Sequence, residues 1–264
     1  MNIKKGFNKL KSIMGLSLSL AKSYFKTRNE GSYLGILWYL LTPLAFFAII
    51  TAMGQIINAK PEKDYPLYLF LGLIMFNFFL NSTLSSVKSM ANNSGFLKSI
   101  KTTPESFVIA IALEFIFAHF FEIILFSLFM VYFKVNLIGL VFYPLIFLLL
   151  LLFTLGMSFI LATIWVYISD FNNVWDVFCK LLWFITPIFY FAISGTILYE
   201  FNLFNPLYYY ISAARDVVIY TKIPEINMIV NMVIISIITF VLGLFVFNLN
   251  KNKFAERIWK ENGK

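Results

Sequence analysis

Long apolar runs alternate with short charged stretches along the 264-residue chain. Five stretches contain no Asp, Glu, Lys or Arg, and they cover residues 31–59, 65–87, 135–169, 181–199 and 226–250. A helix needs about 20 apolar residues to cross about 30 Å of hydrocarbon, and each stretch is near that length or longer. A sixth segment, 106–133, is equally apolar although it contains three ionisable residues. The pattern therefore predicts six transmembrane helices.

The helix boundaries follow from the apolar runs and the charges that flank them. We place the six helices at about residues 34–57, 66–88, 107–132, 138–168, 173–193 and 227–249. The composition agrees, because 60% of the residues are hydrophobic and only 13% are charged, about half the charged share of a soluble domain. The predicted fold class is an all-α integral membrane protein. It has one transmembrane domain, made of an N-terminal interfacial helix (1–30), a six-span bundle (34–250) and a tail (251–264).

The basic residues indicate which side of the membrane each loop occupies. Residues 1–30 contain seven Lys and Arg, the loop 89–105 contains two, and the tail from residue 250 contains five. In a six-span topology these three segments share one side, which the positive-inside rule assigns to the cytoplasm. Both termini are therefore predicted to be cytoplasmic. The net charge of +8 mostly reflects this bias, so it requires no nucleic-acid partner.

The N-terminal segment has an apolar face at helical spacing. Its apolar residues recur at steps of three and four, and they are Ile3, Phe7, Leu10, Met14, Leu18, Ala21 and Phe25. Lysines occupy much of the remaining surface. We therefore expect a helix that lies in the headgroup region and contacts membrane lipids. The alternative is a solvated helix packed on a soluble partner.

The segment 194–225 is too rich in aromatic residues for a plain loop, and Asn205 and Pro206 interrupt it. We predict two short helices, one before and one after Pro206, that enter or lie on the outer leaflet. Non-helical backbone at membrane depth must be covered by protein or face a water-filled cavity. This hairpin is therefore expected to help build a cavity or its outer gate. An interfacial anchor within the aromatic belt is the alternative.

Few residues of the chain could carry out catalysis. One cysteine, Cys179, excludes an internal disulfide, one histidine, His119, argues against a His-based site, and no metal site is predicted. The sequence has no G-x-S-x-G, H-E-x-x-H or G-x-x-x-x-G-K-[ST] motif, so it has no Walker loop for ATP. Glu114 and Glu122 share a face of the third span, near His119. Such groups form a polar lining or an ion-pair hinge, or pair with a donor such as Lys180 on a neighbouring helix.

The loop between the second and third spans combines apolar and basic residues. These residues are Phe96, Leu97, Lys98, Ile100 and Lys101. Pro104 marks the start of the next helix. The pattern predicts a short amphipathic helix on the cytoplasmic side. Apolar residues exposed there indicate docking into the groove of a partner.

Four sequence motifs carry a family resemblance. The first, "TRNEGSYLGILWYLLTPL", contains Arg28, Leu34, Gly35, Trp38 and Pro43. The second is "FLKSIKTTPESFVIA", and the third is "YISDFNNVWDVFCKLLWFITPIFY", which contains Asp170 and Pro187. The fourth, "FNPLYYYISAARDVVIY", contains Asn205, Pro206, Leu207, Arg215 and Asp216. In this order, and across nearly the whole chain, they resemble the membrane subunit of ABC exporters for bacterial polysaccharides, which move lipid-linked O-antigen, teichoic acid or capsule.

The resemblance implies an assembly and a substrate. Two copies would form a homodimer around a continuous channel, and each copy would pair with a separate ATP-binding subunit. That subunit would bind ATP and Mg²⁺, whereas this chain would hold no cofactor and would not be an enzyme. The chain would lie in the bacterial cytoplasmic (inner) membrane. Its substrate would be a glycan linked to undecaprenyl pyrophosphate.

The resemblance also implies roles for particular residues. The residues that would couple the chain to the ATPase are Phe96, Leu97, Lys98, Ile100, Lys101, Pro104, Glu105 and Asp170. The segment Thr103-Pro104-Glu105 departs from the Phe-Pro-x-Glu that the family often has. The outer gate comprises Asn205, Pro206, Tyr208, Arg215 and Asp216.

The start of the first span is the predicted binding site for the pyrophosphate. Arg28 would bind it, because a guanidinium group matches phosphate oxygens bidentately. Gly31 and Gly35 would keep the first turns of the span thin, and Trp38 offers an aromatic face to a sugar. Pro43 frees a backbone carbonyl and would kink the helix.

Other functions stay open at the level of sequence. Teichoic acid or capsule could replace O-antigen as the cargo, and a drug or lipid exporter of the same fold is a further alternative. An integral-membrane glycosyl- or acyltransferase would have to use Glu114, His119 and Glu122.

Overall fold

The computed structural model describes residues 3–30, 33–35, 37–56, 64–99 and 103–261 of the chain. Every regular element within these ranges is helical, which confirms the predicted all-α class. In chain order the helices are α1 (Ile3–Asn29), α2 (Leu37–Ile56), α3 (Tyr65–Val87), α4 (Ser89–Asn92), α5 (Ser94–Ser99), α6 (Glu105–Tyr132), α7 (Tyr143–Trp165), α8 (Phe171–Ile185), α9 (Ile197–Leu203), α10 (Pro206–Val218) and α11 (Ile226–Glu261). A 3₁₀ turn, Leu137–Val141, precedes α7.

Several helices are long and apolar enough to cross a membrane. Within the described ranges these are α3, α6, α7 and the part Ile226–Phe254 of α11, while α2 contains a shorter apolar stretch, Leu40–Ala52. The chain is therefore a multi-pass helical membrane protein. The full count of six spans stays a prediction.

The fifth predicted span, 173–193, is wrong in its second half. α8 ends at Ile185, and Thr186 is extended (φ −68°, ψ 134°). Pro187 explains this, because proline lacks an N–H and disfavours the helical conformation of the residue before it. Residues 186–196 then continue as bends, irregular chain and a turn up to α9.

Other predicted boundaries also differ. Gly35 lies before α2 with a φ of 45°, so it does not thin the first helical turn as expected. The segment predicted as 138–168 is divided into the 3₁₀ turn and α7. α11 continues to Glu261 and so includes most of the predicted tail.

α3 is the central helix of the bundle. Within its apolar window 78% of the residues are buried, against 17% for α11, which lies at the periphery. Phe70 of α3 stacks on Phe126 of α6, and Phe79 stacks on Phe153 of α7. The central position of α3 matters for the site because this helix also carries two asparagines.

α7 and α11 approach each other at two glycines. A Cβ atom at Gly156 would overlap the backbone of Thr239 and Phe240, and one at Gly243 would overlap Gly156 itself. Glycine at such a crossing lets two membrane helices come into backbone contact. This crossing holds the peripheral α11 against the bundle.

α1 packs along α6 through its small residues. Ser17 and Ala21 are fully buried, and the carbonyl of Ile13 accepts a hydrogen bond from Ser106 Oγ (3.3 Å). Its exposed apolar side chains include Phe7, Leu10, Met14 and Leu18. Most of the predicted apolar face therefore points away from the protein, as expected for a helix on a membrane surface.

The basic segments meet at one end of the bundle. Lys251 of α11 lies 2.6 Å from Glu105 at the start of α6, and Arg257 lies over the ring of Tyr167 after α7. This grouping is the one that the positive-inside pattern requires. The assignment of this end to the cytoplasm stays a prediction.

Candidate functional site

Arg28, in the last turn of α1, pairs with a carboxylate inside the bundle. Its Nε lies 3.0 Å from Oε1 of Glu114 on α6, and its Cζ lies 4.6 Å from the ring centre of Phe115. Glu114 Oε1 is nevertheless without a hydrogen-bond donor among the described residues. The contact is therefore a pairing of charges rather than a directed hydrogen bond. The side chain of Arg28 is 41% exposed, so it is accessible to an anion.

A cavity of about 220 Å³ opens beside this ion pair, and we call it the Arg28 cavity. Its lining residues are Arg28, Asn29, Gly35, Trp38, Thr42, Pro43, Asn77, Asn81, Phe115 and Glu122. Four of the five residues predicted for the pyrophosphate site thus line one cavity. The fifth, Gly31, lies outside the described residues. α2 is one continuous helix through Pro43.

Glu122 belongs to a buried hydrogen-bonded chain. Its Oε2 lies 2.9 Å from Nδ1 of His119, and Nε2 of His119 lies 2.6 Å from the hydroxyl of Tyr143 on α7. The imidazole also stacks on Phe147, with ring centres 4.5 Å apart. The position of His119 is therefore fixed on both edges and on one face.

The two intramembrane carboxylates have different partners. Glu114 pairs with Arg28 of α1, whereas Glu122 contacts His119 three residues earlier on its own helix, so the two roles predicted for these carboxylates stay predictions. Lys180, the candidate donor named from the sequence, instead pairs with Asp176 on its own helix, 2.7 Å away.

A second cavity, of about 410 Å³, lies between α1 and the end of α3, and we call it the α1–α3 cavity. Its lining residues are Tyr24, Thr27, Arg28, Leu84, Ser85, Lys88, Ser89, Asn92, Asn93, Ile111 and Glu114. Arg28 lines both cavities. It therefore stands between a wider chamber near the basic end of the bundle and a narrower one deeper inside.

The loop between α3 and α6 contains two short helices, α4 and α5, where one amphipathic helix was predicted. Phe96 of α5 is half exposed. Leu97 and Lys98 belong to the same helix, and Ile100 and Lys101 lie outside the described residues. The exposed position of Phe96 agrees with a docking surface.

Glu105 pairs with a basic residue of the same chain. It begins α6 directly after Pro104, is buried, and forms an ion pair with Lys251 of α11. Its Oε2 has no hydrogen-bond partner among the described residues. Direct docking through Glu105 would require this ion pair to open. Asp170, in contrast, is exposed at the start of α8.

The hairpin at the other end has the two short helices that the sequence predicts. α9 and α10 lie on either side of Asn205, and Pro206 is the first residue of α10. Asn205 caps α10, since its Oδ1 accepts from the backbone N–H of Leu207 (3.1 Å), and its Nδ2 donates to Thr186 (2.9 Å). Tyr208 is buried in the core.

Arg215 fastens α10 to two other segments through backbone carbonyls. It donates to the carbonyl of Tyr68 from Nε and Nη2 (3.1 and 2.9 Å), to that of Pro187 from Nη1 (2.6 Å) and to that of Ile188 from Nη2 (3.0 Å). The side chain is buried, and all these contacts go to carbonyls rather than to the adjacent Asp216. An outer-gate role for Arg215 would require this network to break, so that role stays a prediction.

Tyrosine hydroxyls satisfy the next carbonyls of the same non-helical segment. Tyr65 donates to the carbonyl of Phe189 (2.8 Å), and Tyr68 donates to that of Tyr190 (2.9 Å). Carbonyls released at the end of α8 would otherwise lack partners within the membrane. These tyrosines and Arg215 therefore make the helix break after Ile185 possible.

Sequence reasoning missed three residues of the site. Asn77 and Asn81 are polar residues four apart in an apolar span, and this spacing was the signal that could have identified them. Tyr143 gave no such signal, because tyrosines are frequent in this chain and only the packing of α6 on α7 brings it to His119.

The described residues form an all-helical, multi-pass bundle with polar cavities on both sides of Arg28. The chain belongs to the ABC-2 type transporter family, whose family model matches residues 16–219. It is 28% identical to the O-antigen export system permease protein RfbA of Klebsiella pneumoniae over 269 residues, covering 97% of this chain and 99% of the relative. A protein of the same name from Myxococcus xanthus is 23% identical over 251 residues, covering 92% and 95%.

Proposed function

We propose that this chain is the permease subunit of an exporter that moves a lipid-linked polysaccharide of the O-antigen type across the bacterial inner membrane. The observation that carries the proposal is the similarity, over nearly the full length, to permeases named for O-antigen export. Family membership implies an ATP-binding partner. That partner binds ATP and Mg²⁺ and supplies the energy for transport.

The proposed assembly contains two copies of this chain and two ATP-binding subunits, with both termini of the chain in the cytoplasm. Three features support the orientation and the contact with the ATP-binding subunit, whereas the two-plus-two stoichiometry rests on the family resemblance. The basic segments share one end of the bundle, Phe96 is exposed in the loop between α3 and α6, and Asp170 is exposed before α8. Phe96 and Asp170 then contact the ATP-binding subunit.

Arg28 is the proposed contact for the pyrophosphate of the lipid carrier. It ends an interfacial helix, its side chain is partly exposed, and it lines both cavities. Glu114 lies beside Nε, and a guanidinium group has further N–H donors that can bind two phosphate oxygens side by side.

The experiment is reconstitution of the chain with its ATP-binding partner in lipid nanodiscs. We expect a stable two-plus-two complex whose ATPase rate rises when an undecaprenyl-diphosphate-linked glycan is added. Comparison of O-antigen, teichoic acid and capsule precursors then identifies the cargo. ATPase activity that responds to none of them would contradict the proposal. Glycosyl or acyl transfer without any ATPase partner would indicate an enzyme.

The role of Arg28 has its own test. Arg28→Ala should reduce glycan at the cell surface by at least tenfold at normal expression of the protein, since a charged hydrogen-bonding partner of the phosphate is lost. Lys26→Ala is the matched control, because Lys26 is a cation of the same helical turn that pairs with Glu30 at the surface. Equal export by both variants would remove Arg28 from the site.

A further inference from the structure

One face of α3 is polar over three successive turns. Asn77, Asn81 and Ser85 follow each other at intervals of four residues, which places them on one side of the helix. Neither asparagine has a hydrogen-bond partner within the part of the chain that the structure describes. Polar groups in a membrane span are costly unless they meet a polar partner, water or a ligand. Two free amides on the central helix therefore point to a ligand.

The two amides and a carboxyl group line one chamber. Asn77 and Asn81 line the Arg28 cavity together with Glu122, and Trp38 forms part of the same wall. Ser85 continues the polar face into the α1–α3 cavity. The amides and the carboxyl group are hydrogen-bonding groups that a hydroxyl-rich ring can use, and Trp38 is an aromatic surface against which such a ring can pack.

The hydrogen-bonded chain fixes Glu122 as an acceptor in this chamber. When Tyr143 donates its hydroxyl proton to Nε2 of His119, the proton of the neutral imidazole lies on Nδ1 and is donated to Glu122 Oε2. The carboxyl group keeps its remaining lone pairs for a donor in the cavity. Glu122 also lies eight residues beyond Glu114, about 12 Å further along the axis of α6. A ligand that extends from Glu114, where Arg28 lies, to Glu122 is longer than a diphosphate.

We infer that Glu122, Asn77 and Asn81 form a subsite for the first sugar ring of the lipid-linked substrate. Glu122 accepts hydrogen bonds from sugar hydroxyls, and the two amides both donate and accept. The subsite makes the protein prefer a glycosylated lipid diphosphate over the bare lipid diphosphate. This inference rests on the proposed function, because it takes Arg28 as the contact for the diphosphate.

The test measures binding of two probes to the full chain in lipid nanodiscs. One probe is undecaprenyl diphosphate, and the other is undecaprenyl diphosphate that carries a single N-acetylhexosamine. We expect the wild-type protein to bind the glycosylated probe at least about tenfold more tightly, as hydrogen bonds to a carboxylate allow. Glu122→Gln and the double variant Asn77→Ala/Asn81→Ala should bring this ratio close to one. Their affinity for the bare diphosphate should stay within about twofold of wild type.

Three further variants make the result decisive. The single variant Asn81→Ala should fold normally, because Asn81 is exposed and has no partner among the described residues. A lower ratio of the two affinities in this variant therefore reports a loss of sugar binding and not a loss of folded protein. Asn227→Ala, an exposed amide at the start of α11, is the matched control and should keep the wild-type ratio. Arg28→Ala should weaken binding of both probes together.

The outcomes separate the inference from the function on which it rests. A wild-type protein that binds both probes equally, or variants at Glu122, Asn77 and Asn81 that keep the wild-type ratio, would overturn the sugar subsite and leave the exporter proposal intact. A wild-type protein that binds neither probe would overturn both.

Discussion

The phenolic hydroxyl of Tyr24 on α1 donates a hydrogen bond to Oδ1 of Asn93, 2.8 Å away, in the loop between α3 and α6. Burial raises the pKa of Tyr24 to about 12, so the hydroxyl keeps its proton throughout the physiological range. Asn93 in turn donates to the carbonyl of Ser89 (2.8 Å). This contact joins the helix that carries Arg28 to the loop predicted to contact the ATP-binding subunit.

Tyr24→Phe should weaken the coupling between substrate and ATPase. The change removes one hydrogen bond, worth about 1 kcal/mol, and leaves the ring in place. We expect the stimulation of ATPase activity by lipid-linked glycan to fall by about fivefold, while the basal rate stays unchanged. The measurement is ATPase activity of the reconstituted complex as a function of glycan concentration.

Tyr132→Phe is the control for this prediction. It also removes a phenolic hydroxyl group, but Tyr132 is exposed at the end of α6. If both variants keep the full stimulation, the Tyr24 contact does not transmit the signal.

Arg215→Lys should destabilise the fold although it conserves the charge. A single ammonium group cannot reach the carbonyls of Tyr68, Pro187 and Ile188 together, because the planar guanidinium spans them with three nitrogens. Each buried carbonyl left without a donor costs about 1–3 kcal/mol. We expect a loss of about 2–4 kcal/mol in the free energy of unfolding, measured by denaturant titration in detergent micelles. Arg257→Lys, at the periphery over Tyr167, should change it little, and equal losses in the two variants would contradict this account.

Gly156→Ala should open the contact between α7 and α11. The added methyl group meets backbone atoms of Thr239 and Phe240, which cannot move aside as a side chain could. Overpacking of this kind costs about 1–3 kcal/mol. Thermal unfolding in detergent should show a lower midpoint, whereas Gly15→Ala, which has open space around its added Cβ, should be neutral or slightly stabilising. An unchanged midpoint for Gly156→Ala would mean that the two helices are not held in backbone contact.

The ion pair between Glu105 and Lys251 should contribute more than the one between Asp176 and Lys180. The first pair has side chains 9% and 21% exposed, and the second 40% and 69%. Double-mutant cycles should therefore give a coupling energy of about 1–3 kcal/mol for the first pair and below about 1 kcal/mol for the second. The measurement is unfolding of the single and double variants, with Glu105→Gln, Lys251→Met, Asp176→Asn and Lys180→Met as the substitutions. Similar coupling energies for the two pairs would contradict a tie between α6 and α11.

The architecture could be predicted from the sequence wherever a long run is apolar throughout. The spans at α3 and α6 and the hairpin around Pro206 follow the sequence closely, since hydropathy and proline act locally. The end of α8 was missed, although Pro187 was visible. The residues around Pro187 are apolar enough to continue a span. Hydrogen-bond donors on α3 and α10 bind the carbonyls that the end of α8 leaves free, and these donors could not be recognised from the sequence.

Individual residues of the site could be predicted from the sequence, but their position in one common cavity could not. Arg28, Trp38 and Glu122 were each identified, yet nothing in their spacing places them in one cavity. That arrangement depends on how α1 and α2 fold back onto α6, which is a property of tertiary packing. Glu105 shows the same limit, because the sequence assigned it to a partner and gave no sign of its ion pair with Lys251 within the chain.

If α8 forms the predicted fifth span, its early end has a consequence for the surrounding lipid. At 1.5 Å per residue its 15 residues extend about 22 Å, less than the roughly 30 Å of a typical hydrocarbon core. Apolar side chains such as Val177, Leu181 and Phe184 are exposed on this helix. A helix shorter than the core produces hydrophobic mismatch, which the bilayer relieves by thinning locally. A lipid headgroup that crosses beside α8 would therefore traverse a shorter apolar path than one crossing the undisturbed membrane.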